Sequence, residues 1–90
     1  MFTVVLDKER HAKVTTKALG LFKEKTGIDI LHLKDGEQID LAVIEKLLWV
    51  CLLYEDAGLT LETVQDNAEL YQLRQFITYF QEGKLPENPT

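Results

Sequence analysis

The sequence predicts a single α+β domain, mostly α, in which an N-terminal β-hairpin packs on a small bundle of three to four helices. Three observations carry this expectation. Phe2, Val4 and Leu6 recur at every second position, the period of a half-buried strand. The stretch Ile39–Gly58 contains the uninterrupted apolar run Leu47–Tyr54, which must be covered nearly all round. Leu70, Leu73, Phe76, Ile77 and Phe80 recur every three or four residues, as on one side of a helix. Ninety residues supply one core, so residues 1–83 are expected to form one globular domain and 84–90, with Pro86 and Pro89, a flexible C-terminal tail.

The hairpin is expected from two alternating segments flanking the polar turn Asp7-Lys8-Glu9-Arg10. In the second segment Ala12 and Val14 face inward, and His11 faces solvent. A lone two-stranded hairpin is marginal in water, so it must pack on the helices and leave an edge able to pair within the chain or across a dimer. A first helix, Lys17–Thr26, can be capped by Thr15 or Thr16 and ended by Gly27, with Ile28 folding back on Phe22. Gly20 inside it suggests close approach of another element. Ile28, Ile30, Leu31 and Leu33 then carry the chain across the core, and Lys34–Gln38 form a polar loop.

The central helix is expected to start at Asp40, with Ile39 and Ile44 as a hydrophobic staple, and to close at Gly58 with Leu59 folded back on Tyr54. Glu55 and Asp56 then fall in its last turn, against the helix dipole, as a solvated pair. Trp49 belongs to the core on this reading. A short helix capped by Thr60 follows, with Leu59 and Val64 as its staple. A final helix opens on an Asp66/Glu69 variant of the capping box and is stopped by Gly83.

Charge and composition narrow the function. Residues 1–34 carry seven Lys or Arg against four acids, and residues 35–90 carry three against eleven. The scattered bases lack interleaved aromatic residues, so nucleic acid is not the expected partner, and opposed patches suit protein contacts. The one cysteine, Cys51, sits inside the apolar run as a small buried hydrophobe. The first residues lack a basic lead, and no apolar stretch is long enough to span a bilayer, so a soluble cytoplasmic protein is expected. His11 and His32 have no metal-ligand spacing, and the glycines are isolated, so neither a metal nor a cofactor is expected and the chain reads as non-catalytic.

The segments TKALGLFKEKTGIDIL and LLWVCLLYEDAGLTLETV, between a hairpin and an amphipathic helix, resemble the small tail assembly chaperones of long-tailed bacteriophages and prophages. Thr26-Gly27-Ile28, Leu47-Leu48-Trp49, Leu52 and Leu59-Thr60-Leu61-Glu62-Thr63-Val64 carry the resemblance, which covers residues 12–80. It implies a chaperone that binds the tape-measure protein, keeps its long helical segments soluble, helps recruit tail-tube protein and is absent from the finished virion. It also implies a host-cytoplasmic location and, for many members, a longer frameshifted product. Within that reading Tyr71, Tyr79 and Phe80 are the candidate partner-binding residues, together with the hairpin edge. The alternative is a small oligomeric structural or regulatory protein of mobile-element origin, acting by protein–protein contacts and pairing with itself as a homo-oligomer.

Overall fold

The computed structural model describes residues 1–29 and 40–84. The expected crossing segment at 30–33, the loop at 34–38, His32 and the staple residue Ile39 lie outside them. The architecture is a hairpin of β1 (Phe2–Val5) and β2 (Glu9–Ala12) on four helices: α1 (Thr16–Thr26), α2 (Leu41–Leu52), α3 (Leu61–Asn67) and α4 (Leu70–Lys84). The two strands pair antiparallel, with Phe2 opposite Ala12 and Val4 opposite Arg10. The α+β, mostly helical class read from the sequence is the class observed.

Helix α2 is the hub, touched by α1, α3, α4 and β2. Half of its twelve residues are buried, among them Leu47, Leu48 and Cys51 with no exposed area. Asp40 caps it, its side chain accepting the Val43 N–H at 3.0 Å. At its other end the helix stops at Leu52, six residues before the expected Gly58. The backbone tightens first at Leu53, whose N–H turns to Val50 O at 3.3 Å, and a competing donor stands at the next turn. To continue, Glu55 N–H would have to take the Cys51 carbonyl, but that oxygen already accepts the Lys13 N–H at 3.0 Å, just beyond β2. Glu55 N–H turns to Leu52 O instead, at 3.1 Å. Gly58 consequently closes no helix: among the described glycines only Gly27 has a positive φ, and the Gly58 N–H bonds the Asp56 carboxylate in a side-chain-built turn. Leu59 is buried while Tyr54 is half exposed, so the expected contact between them does not close the helix.

Helix α1 behaves as expected at both ends. Thr15 accepts the Ala18 N–H, and Gly27, at φ 76°, returns its N–H to Lys23 O at 2.7 Å. The expected close approach at Gly20 is absent, because a Cβ there would meet nothing within 4 Å. Helix α3 starts on Thr60, whose side chain accepts the Thr63 N–H, and runs to Asn67. It therefore contains Asp66, so the expected Asp66/Glu69 box does not form. One half of such a box sits three residues later: Gln72 Oε1 accepts the Glu69 N–H at 2.7 Å as α4 begins. Helix α4 passes through Gly83 to Lys84, the first residue of the expected tail, and 85–90 lie outside the described residues.

The core joins Val4 and Ala12 of the hairpin to Phe22 of α1, the α2 face, Val64 of α3, and Leu73, Phe76 and Phe80 of α4. Leu70, expected in the same stripe, is 48% exposed. Trp49 sits at the core's edge rather than inside it. Its indole N–H donates to Leu59 O at 2.8 Å, and the Lys25 ammonium lies over its ring at 4.9 Å.

Candidate partner-binding surface

The hairpin has two edges, and the chain treats them differently. Beyond β2 the outward N–H groups of His11 and Lys13 are used, whereas the Glu9 N–H and the Glu9 and His11 C=O groups have no partner among the described residues. Glu55 Oε1 accepts the His11 N–H at 3.1 Å and Cys51 O accepts that of Lys13. An antiparallel ladder alternates inward and outward backbone groups, so outward donors at His11 fix the partner Thr3 as outward too, and Val5 opposite Glu9 likewise. Beyond β1 these outward groups are largely open. Gln72 Nε2 donates to Val5 O at 2.8 Å, while the Thr3 N–H, Thr3 C=O and Val5 N–H have no partner among the described residues.

Ionic contacts reinforce the closed edge. Arg10, expected in the turn, lies in β2 and points inward, 5% exposed. It is tolerated there because its guanidinium fork bonds both Asp7 oxygens, at 2.8 and 2.9 Å, and Asp56 at 3.1 Å. The guanidinium pulls the Asp7 carboxyl down to about 2 and also lowers Asp56, which the Gly58 N–H stabilises further. His11 occupies the outer face as expected, but it is bonded rather than merely solvated: Nδ1 lies 2.8 Å from Glu55 Oε2 and Nε2 lies 3.1 Å from Glu9 Oε2. The two carboxylates, Glu55 foremost, raise the imidazole's pKa above its ordinary value, and His11 in turn lowers Glu55. Glu55 and Asp56, expected as a solvated pair in the last helical turn, thus lie past the helix and clamp β2.

Beside the open edge, between β1 and α4, lies a groove of about 170 Å³ lined by Phe2, Val5, Tyr71, Gln72 and Gln75 among others. Val5 is 60% exposed and Tyr71 57%. The three sequence-nominated residues separate here. Tyr71 faces out beside the open edge. Tyr79 is half-buried, its ring 5.5 Å from Phe2 and 6.4 Å from Phe76, which makes it a support for β1. Phe80 is 3% exposed and belongs to the core, because it shares the Leu73–Phe76 face of α4. The sequence reading missed Val5 and Gln72. Val5 was detectable as an apolar residue on the polar face of an edge strand. Gln72 was not, since its bond to Val5 joins residues 67 apart.

Cys51 is fully buried, and desolvation pushes its thiol up to about 12, so it packs as a hydrophobe and is no nucleophile at neutral pH. No helix among the described residues is long and apolar enough to cross a membrane. No family model, curated protein or solved structure matches the chain.

Proposed function

We propose that this protein is a non-catalytic assembly factor of the tail-chaperone kind, which holds the tape-measure protein before tail-tube assembly through the open edge of β1 and the Tyr71 side of α4. The observation that supports this most is the juxtaposition of three open backbone groups at Thr3 and Val5 with a groove flanked by two exposed large side chains. An edge with free N–H and C=O groups recruits an extended segment by strand addition, and adjacent apolar side chains supply selectivity. The sequence resemblance supplies the client.

Co-expression with the long helix-rich protein encoded beside it, followed by size-exclusion chromatography with light scattering, tests the reading. Co-elution that Val5→Lys and Tyr71→Ala each reduce supports it. A long protein that aggregates regardless, while this chain runs alone as a monomer, removes it. The self-pairing alternative draws on the same edge: about a two-fold axis at Val4, Thr3 N–H faces Val5 C=O of a second copy and Val5 N–H faces Thr3 C=O. A stable oligomer that Val5→Lys dissociates, with no client bound, favours that structural or regulatory role.

A further inference from the structure

Three basic residues of the N-terminal part, Lys13, Lys17 and Lys25, converge with Lys46 on a second surface, away from the open edge. Helices α1 and α2 run antiparallel, with Ala18 of α1 near Leu53 of α2 and Thr26 near Trp49. The crevice between them holds two grooves of about 230 Å³ each, which meet at Val50. Its floor is apolar, formed by Ala18, Leu21, Val50, Leu53 and Ala57 at one end and by Trp49 and Leu61 at the other. The charged side chains lining it, among the described residues, are all cationic: Lys13, Lys17, Lys25 and Lys46.

None of these four ammonium groups lies within ion-pairing distance of a carboxylate among the described residues, although the chain has fifteen acids to ten bases. Lys13 and Lys25 instead lie over the rings of Tyr54 and Trp49, at 5.9 and 4.9 Å. Arg10 shows the contrast: it is held by two aspartates.

We infer that the α1–α2 crevice is a docking groove for an amphipathic helix of a partner protein whose apolar stripe is flanked by Asp and Glu. The shape suits a helix. Lys17 and Lys25 stand two turns apart on α1, about 12 Å at 1.5 Å per residue, and a groove between packed helices accepts the ridge of a third. The charge selects its sign. A partner with acidic flanks is repelled by most of this net-negative surface and attracted at this crevice, which fixes where it lands. A nucleic-acid strand would satisfy the lysines but leave Leu21, Leu53 and Ala57 uncovered. This surface is distinct from the β1 edge and stands whether or not the client there is a tape-measure protein.

The test is fluorescence anisotropy with three labelled probes: a peptide with leucines at helical spacing and glutamate elsewhere, its lysine counterpart, and a single-stranded oligonucleotide. The Leu/Glu peptide binds the parent more tightly than either other probe. Lys17→Glu with Lys46→Glu weakens it about tenfold or more. Ala57→Trp, which fills the groove at an exposed position without changing charge, also weakens it at least tenfold. Circular dichroism confirms that each variant is folded, and Lys17→Glu alone serves if the double variant is not. Equal binding of the Leu/Lys peptide, equal or tighter binding of the oligonucleotide, or unchanged binding by Ala57→Trp overturns the inference.

Discussion

The outward N–H groups of His11 and Lys13 on one edge of the small hairpin and of Thr3 and Val5 on the other have opposite fates. At β2 the end of α2 and the turn after it supply a carbonyl, a carboxylate acceptor and two ionic contacts, and an arginine is buried beside them. At β1 a single amide side chain, Gln72, covers one of four outward backbone groups, and an exposed valine stands beside it. A protein that merely needed to blunt its edges would place charge on both. On the proposed function, this asymmetry leaves β2 to hold the fold and β1 to meet a partner.

The strongest way to break this division is at Arg10. Arg10→Ala removes charged hydrogen bonds to Asp7 and Asp56 and opens a space under β2. Because both aspartates stay partly solvated, we expect a loss of about 2 kcal/mol, a fall in Tm on the order of 10 °C by thermal denaturation. A loss below about 0.5 kcal/mol would mean that the closed edge contributes little.

Gly20→Ala touches neither edge. With nothing within 4 Å of the added Cβ, it should stabilise α1 by about 1 kcal/mol and raise Tm by roughly 5 °C, while leaving partner binding at β1 unchanged. Destabilisation would show a close approach at that position after all.

The His11–Glu55 contact gives the closed edge a pH signature. The folded pKa of His11 is raised above its ordinary 6.5, so its contribution is fully present below that value and is lost as pH rises through the raised folded pKa. Glu55 is lowered from 4.5, so its contribution is present above that value and is lost as pH falls through the depressed folded pKa. Glu55→Gln should bring the His11 pKa down, read by NMR titration of the imidazole, and flatten the alkaline side of the stability profile. An unchanged His11 titration would contradict the geometry. At the open edge, Val5→Lys should change stability by less than about 0.5 kcal/mol, since the side chain already faces water.

Much of this fold was legible because it follows from local chemistry. Thr15, Asp40 and Thr60 each cap the helix expected of them, and Gly27 takes the left-handed turn that ends α1. What the sequence concealed is non-local. The end of α2 is tied to the Lys13 N–H, 38 positions before the carbonyl it takes. The inward turn of Arg10 depends on Asp56, 46 residues away. Read locally, Asp7–Arg10 is a polar turn and Glu55-Asp56 a solvated pair; only the fold brings the two together. The candidate partner surface was half legible for the same reason: the aromatic positions of α4 were visible, but which of them the hairpin would cover was set by Phe2, which packs edge-on to Phe76 at 5.3 Å and against Tyr79.

The contrast between the edges is most directly measured by amide hydrogen exchange at four positions, followed by NMR on the dilute protein. The His11 and Lys13 amides, although on an outer strand edge, should be protected nearly as well as the core of α2, while those of Thr3 and Val5 exchange close to the rate of an unstructured chain. Equal protection at all four would mean that β1 is closed as firmly as β2, and the assignment of the partner site to that edge would fall.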